Sequence, residues 1–369
     1  MEIKQVKTDS QLKEFIELPF EIYKKDPYWV PPLKVEVKEL LSRKNPFWKH
    51  AQKILFVAYK NGKPAGRIAG IVDNNHNKFH SEKCGFFGFF ECIEDAAVSK
   101  ALFENVFDWL KNKGIGIVRG PMNPSTNDEC GLLIEGFDDP PKIMMPYNPP
   151  YYIDFIQDAG FVKAKDLLAF IMDVKKGPIN RLLPLAERIL RRNPKLSVRK
   201  LNKKRFEEEV NIIMDIYNSA WEKNWGFVPM TEDEILYLGG KLKQIVDEDI
   251  LWIAFYDGDP AGFLMALPDV NEALKKINGK LNPISLLKLL YWAKKIKTLR
   301  LLTLGVKRQY HKIGLDVLLY TKSLEASLKK GYEKCEFSWI LEDNIPTIRA
   351  AELMAGKIYK KYRIFEKTL

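Results

Sequence analysis

Two stretches of this chain hold residues whose types and spacing could do chemistry. The first is Lys307-Arg308-Gln309-Tyr310-His311-Lys312, a basic loop that closes on Gly314. An apolar run, Leu299 to Val306, precedes it. A helical pattern follows, with Leu315, Leu318, Leu319, Leu324 and Leu328 recurring at threes and fours. A second apolar run, Cys335 to Leu341, then leads to Glu342-Asp343-Asn344. Strand, basic loop, helix and strand make a βαβ unit. The first N–H groups of such a helix are unpaired and its dipole is positive there. Lys307, Arg308 and Lys312 beside them make the loop suited to a phosphorylated ligand.

The second stretch runs from Arg119 to Tyr152, RGPMNPSTNDECGLLIEGFDDPPKIMMPYNPPYY. It is too long and too rich in Pro, Asn and Asp for a plain connector, and long loops in compact domains are commonly functional. Asn123, Asn127, Tyr147, Asn148 and Tyr151 offer convergent hydrogen bonds and are expected to line a substrate pocket. Asp128 and Glu129 are its candidate general bases.

The elements that must position these stretches occur twice. In the first half the order is strand 2–7, a helix from Leu12, a helix from Val35 to Leu41, and strand Ile54 to Tyr59. The turn Asn61-Gly62-Lys63-Pro64 follows, then strand Gly66 to Val72, strand Lys83 to Ile93, helix Ala97 to Asn112 and strand Ile115 to Val118. The second half repeats this with strand Leu196 to Leu201, helices Phe206 to Trp221 and Ile235 to Val246, and strand Leu251 to Tyr256. Its turn is Asp257-Gly258-Asp259-Pro260, and strand Ala261 to Leu267 returns. The turns match residue for residue in character, and Gly114 and Gly331 end corresponding helices. A segment from Asn271 to Lys297, with a Leu-rich helix, is extra in the second copy. The division expected is 1–175, a linker helix at 176–194, and 195–369.

The order of elements, and the register His311-Lys312-Ile313-Gly314-Leu315-Asp316, resemble the Gcn5-related N-acetyltransferase (GNAT) superfamily. Its signature is Arg or Gln, two residues, Gly, one residue, then Gly or Ala, wrapped around the pyrophosphate of acetyl-coenzyme A. His311 and Asp316 depart from it. The segment GPMNPS…NDECG…PYNPPYY also resembles a hallmark of a bacterial family of tandem acetyltransferase-like proteins. The resemblance implies an α/β fold with a mixed sheet, two tandem acyl-CoA N-acyltransferase domains, and acetyl-CoA or another acyl-CoA as donor. Leu304 and Val306 would hold the pantetheine arm by their backbone, Arg308 to Gly314 the phosphates, and Asn344, which opens the fourth helix, would also touch the coenzyme. In the second half Ala351 stands where the family often has a Tyr that protonates the departing thiolate. In the first half Asn148 precedes Tyr151-Tyr152, and Tyr152 is the candidate acid. The first half's equivalent of the basic loop, Phe89 to Ala97, is acidic and lacks the glycine, so the second half is expected to hold the coenzyme.

Composition sets the outer bounds. The chain has 369 residues, 46% hydrophobic, enough for two packed cores. A net charge of +11 suits phosphorylated ligands, but most of it lies in Lys-rich helical runs that read as solvated faces rather than a nucleic-acid groove. The four cysteines and four histidines show no metal-ligand spacing, so no metal is expected. No run reaches the roughly 18–20 apolar residues of a membrane span, and the start MEIKQVKTDS lacks a signal-like core, so a cytoplasmic location is expected. The expected partner is a small amine or peptide acceptor. The alternatives are a Fem-type aminoacyl transfer from aminoacyl-tRNA, or a binding protein that keeps the fold without catalysis.

Overall fold

The computed structural model describes every residue from Met1 to Leu369. The chain forms two units. One comprises Met1–Leu167 with Leu274–Leu289 and Lys360–Leu369; the other comprises Leu168–Ala273 and Leu290–Tyr359. Neither is contiguous, whereas the sequence pattern suggested a single cut at 176–194. The last ten residues of the chain belong with the first unit, because their strand finds its partners there.

The first unit opens with β1 (Glu2–Gln5), α1 (Asp9–Ile22) and α2 (Lys34–Leu40). Thr8 starts α1 through a reciprocal capping box with Gln11. Strands β2 (Ala51–Lys60) and β3 (Lys63–Asp73) form a hairpin. Asn61 and Gly62 both have positive φ at its turn, as a two-residue hairpin turn demands. Then come α3 (Asn74–His80), β4 (Cys84–Cys92), α4 (Ala96–Asn112) and β5 (Ile117–Gly120). His76 and His80 thus sit on a short helix. The rest is β6 (Met122–Asn123), β7 (Glu129–Cys130), β8 (Leu132–Glu135), α5 (Tyr152–Asp158) and the start of β9 (Val162–Asp173). β1 to β4 are antiparallel neighbours, and β4 and β5 run parallel. Residues 361–368 pair with β8 and β5. One sheet face packs Leu102, Phe103, Val106 and Leu110 of α4 against Ala58, Ile68, Phe87 and Val118. Truncating Leu102, which is fully buried, would cost about 2–5 kcal/mol.

The second unit repeats the plan. After α6 (Ile179–Arg192) come β10 (Leu196–Lys200), α7 (Phe206–Trp221), α8 (Glu232–Leu242), β11 (Leu251–Tyr256) and β12 (Asp259–Pro268). The extra segment gives α9 (Asn271–Leu274) and α10 (Pro283–Ala293), of which Leu274–Leu289 belong with the first unit. Strand β13 (Thr298–Val306), α11 (Leu315–Lys330), β14 (Lys334–Leu341), α12 (Ile345–Leu353) and β15 (Lys357–Thr368) complete the chain. β10 to β13 are antiparallel in order, and β13 runs parallel to β14. Asp257 and Gly258 adopt the positive φ of Asn61 and Gly62, so the repeated turn is repeated in structure. The core joins Leu315, Leu318, Leu319 and Leu324 of α11 to Ala254, Leu264, Leu299 and Phe337.

Candidate functional site

In the second unit, β13 and β14 are paired only from Thr298 to Leu301 and from Lys334 to Phe337. Beyond that point they part. A bulge sharpens the divergence: Met265 faces Thr303 and Ala266 faces Leu301, which leaves Leu302 as the extra residue. Leu304 and Val306 lie past the bulge, half-buried, on a stretch of β13 for which β14 supplies no ladder partners. Such an edge offers backbone N–H and C=O groups to an extended ligand.

The chain then enters the basic loop. His311 closes it, its Nε2 lying 2.9 Å from the carbonyl oxygen of Val306. Lys307 is held by Asp215, whereas Arg308 and Lys312 are exposed. Lys312 has φ 65° and Gly314 φ 91° around Ile313, an alternation that turns successive N–H groups toward one point. No side chain caps α11. Gly314 is needed twice over, for its φ and because a Cβ would lie 2.7 Å from Ile189 of α6. Asp316 is exposed in the first turn, where a carboxylate favours the helix itself. Its charge also reaches Tyr320 one turn on: burial pushes that phenol upward, and Asp316 adds to it.

Asn344, expected to touch the coenzyme, caps α12, its side chain accepting from Thr347 N at 3.3 Å. Where the strands part lies a buried polar network that sequence reading missed. Arg300 donates to Ser338 Oγ at 2.9 Å and to the Ser338 carbonyl at 3.2 Å. Ser338 Oγ in turn donates to Glu336 at 2.5 Å, and Tyr359 donates to the same carboxylate. The only sequence signal was a charge inside each of two apolar runs. Nearby strands and α7 also carry buried side-chain atoms without a partner: Thr303 Oγ1, Trp339 Nε1 and Asn218 Oδ1.

The first unit shows the same divergence, closed by its own chain. β4 carries the corresponding bulge, with Phe89 at φ 50°. There Asn123 Oδ1 accepts from Phe89 N at 2.6 Å, and a Cβ on Gly88 would lie 1.7 Å from the Met122 carbonyl oxygen. β6 therefore occupies the edge that is open in the second unit. The next helix is closed too, because Asp95 accepts from Ala97 N and Val98 N at 3.0 and 3.4 Å.

The long first-half stretch is internally bonded in the same way. Met122-Asn123 and Glu129-Cys130 pair as a short hairpin, with Asn127 and Asp128 in its turn. Ser125 Oγ donates to Asp128 at 2.7 Å and accepts from Asn127 N at 3.1 Å. Asn148 is buried and clamps Leu133, accepting from its N–H at 2.7 Å and donating to its carbonyl at 3.1 Å. Tyr147 donates to Asp26, and Tyr151 to the Cys92 carbonyl. Tyr152 meets a residue the sequence reading passed over: its hydroxyl lies 2.9 Å from Glu91, which also accepts from Tyr23 at 2.7 Å. Arg67 stands 3.6 Å from that carboxylate. Burial raises the Glu91 carboxyl, opposed by Arg67, and burial together with Glu91 lifts both phenols well above their usual range. The pair is an acid and a base in contact, enclosed within the unit.

His76, Glu82 and Cys84 bring donor atoms within 4.8 Å of one another. Glu82 is already bonded by His76 at 2.6 Å and by Arg119 at 2.5 Å. Burial pushes the Cys84 thiol up to about 12, away from the thiolate a metal would need.

Two known proteins resemble this chain over nearly its whole length. Protein YghO of Escherichia coli is 38% identical over 369 residues, covering 98% of this chain and 93% of that protein. The bacterial ceramide synthase of Caulobacter vibrioides is 37% identical over 374 residues, covering 99% and 96%. This chain belongs to their family. Among solved structures, the fold is matched by a tandem GNAT protein from the clavulanic acid biosynthesis pathway. That likeness has a TM-score of 0.60 at 12% identity and covers 100% of this chain and 98% of the other. A GCN5-related glucosamine N-acetyltransferase region of a fungal multi-domain β-N-acetylglucosaminidase matches at 0.59 and 14% identity, over 99% and 38%. At these identities the structures establish the fold, a tandem GNAT architecture. No family model matches the chain.

Proposed function

We propose that this protein is a coenzyme A-dependent N-acyltransferase whose second unit holds the acyl-coenzyme A and whose acceptor is the amine of a long-chain amino alcohol. One observation carries the donor half: the parted β13–β14 edge runs directly into a loop with Lys312 and Gly314 in left-handed conformation, beside exposed Arg308, and no side chain caps the helix that follows. The equivalent edge and helix start of the first unit are filled by Asn123 and Asp95. The acceptor half rests on kinship. The Caulobacter relative bears the name ceramide synthase, and a ceramide is the amide of a fatty acid with a long-chain amino alcohol.

Coenzyme A would supply an activated acyl thioester and a thiolate leaving group. The β13 backbone past Leu302 would bind the pantetheine arm, with the Leu304 and Val306 peptides oriented by the bulge. The loop from Arg308 to Gly314 would fix the phosphates by N–H groups and two exposed cations. Catalysis would come mainly from positioning and from backbone N–H groups that polarise the thioester carbonyl. The test is release of free coenzyme A from palmitoyl-coenzyme A, with and without a long-chain amino alcohol. Thiol release that depends on the amine, with formation of the amide, supports the reading. Release that ignores the amine, or none at any acyl length, overturns it.

A further inference from the structure

The extra segment of the second copy contains the most exposed apolar surface in the chain. Asn282 caps α10, accepting from Ser285 N at 2.8 Å, and Pro283 stands at its first position, so the helix has a well-defined start. Only Ser285, Leu289 and Trp292 turn inward; Ser285 is buried and the other two are half-buried. The remaining apolar side chains point to solvent. Ile284 and Leu287 are each 69% exposed, and Leu286, Leu290 and Tyr291 are exposed beside them. Leu281, just before the helix, is exposed as well. From sequence alone so leucine-rich a helix reads as core. Soluble proteins seldom leave a contiguous apolar stripe like this uncovered.

Its charge surroundings name the cover. Lys280, Lys288, Lys294, Lys295 and Lys297 are all exposed on or beside the helix. No Asp or Glu occurs between Glu272 and Asp316. Protein partners of an apolar helix would ordinarily meet mixed charges at the rim, whereas an anionic lipid surface asks for an apolar face ringed by lysine alone. At 1.5 Å per residue, the 11 residues of α10 extend about 16 Å, half of a hydrocarbon core of roughly 30 Å. No helix of the chain is long and apolar enough to cross a membrane.

We infer that α10 is an interfacial anchor, lying in the plane of an anionic bilayer with Ile284, Leu287 and Tyr291 inserted below the headgroups and the flanking lysines on lipid phosphates. This rests on the helix alone and holds whether or not the acceptor is a long-chain amine. It would place the protein at the surface from which a lipid-soluble amine is drawn.

The test is sedimentation of the full chain with vesicles of phosphatidylcholine alone or mixed with phosphatidylglycerol. Binding should be strong only with the mixed vesicles and should weaken with salt. Lys288→Glu with Lys294→Glu should lower partitioning by at least about twentyfold, taking about fivefold per lysine near an anionic surface. Ile284→Ser, Leu287→Ser and Tyr291→Ser combined should lower it by at least about tenfold. All these side chains are exposed, so thiol release with a water-soluble amine should be unchanged in both variants. Absence of binding to mixed vesicles would overturn the inference, as would equal binding of the serine variant. So would a concentration-dependent dimer of the wild type that the serine substitutions abolish, because the helix would then be covered by a second copy.

Discussion

Removing Arg300 tests the buried network where β13 and β14 part. Arg300 is 2% exposed and Glu336 is fully buried, with Arg300 Nε 3.9 Å from the nearer carboxylate oxygen and Ser338 Oγ bridging them. Arg300→Met would leave a buried carboxylate with two hydroxyl donors and no countercharge. Breaking a buried pair from one side costs about 3–5 kcal/mol. For a unit of this size, each kcal/mol moves the midpoint by about 2–4 °C, so Tm should fall by roughly 10 °C. Adding Glu336→Gln removes the charge yet keeps an acceptor for Tyr359 and Ser338, so the double variant should recover at least about half of the loss. Thermal unfolding followed by circular dichroism, with all four members of the cycle, reads both numbers. A single-variant loss below about 1 kcal/mol, or strict additivity in the cycle, would refute the argument that the two charges hold each other in place.

Other perturbations follow from the same structure. Gly314→Ala must adopt φ 91° and push on Ile189, so it should lose about 1–2 kcal/mol of stability and weaken coenzyme A binding about tenfold by calorimetry. Asn123→Ala leaves the Phe89 N–H without its acceptor and should cost about 1–3 kcal/mol in thermal unfolding while coenzyme affinity stays unchanged. Lys53 stacks over Trp48 and its amine is lowered to about 8, by burial first and Arg43 second. Near pH 8 a mass-resolved amine-labelling experiment should therefore modify Lys53 ahead of the exposed lysines. Hydrogen bonds from Lys200 and then Lys330 lower Asp249 to about 2. A depressed carboxyl stabilises above its unfolded value, so this contribution is present above about pH 4 and lost as pH falls toward 2. Because these side chains are a third to a half exposed, it should stay below about 1 kcal/mol, and Asp249→Asn should flatten that part of the stability profile.

The duplicated fold was legible because local chemistry and global plan agree. Asn61-Gly62 and Asp257-Gly258 can hardly form anything but tight hairpin turns, and Gly331 closes α11 with φ 76° where the pattern ended. The basic loop was legible for the same reason, since Gly314 after cations and before a leucine repeat marks a helix start. Glu91, Arg300 and Glu336 were not, because a charge in an apolar strand looks like an interruption until its partner is seen across the sheet. Nor could the sequence say that Asn123 turns back onto Phe89: that contact spans 34 residues and depends on a bulge that no local signal announces. Nor could the sequence say that Asp128 and Asn148 of the polar stretch 119–152 bond within it, to Ser125 and Leu133. The Leu-rich α10 misleads in the opposite sense, since periodicity reports an apolar helix but not which side is covered.

Hydrogen exchange measured by mass spectrometry, with and without acetyl-coenzyme A, tests most directly which unit receives the coenzyme. Slowed exchange at residues 302–317, with 84–98 unaltered, is the predicted result. Slowed exchange at 84–98 instead, or no change in either stretch at saturating coenzyme, would contradict the account.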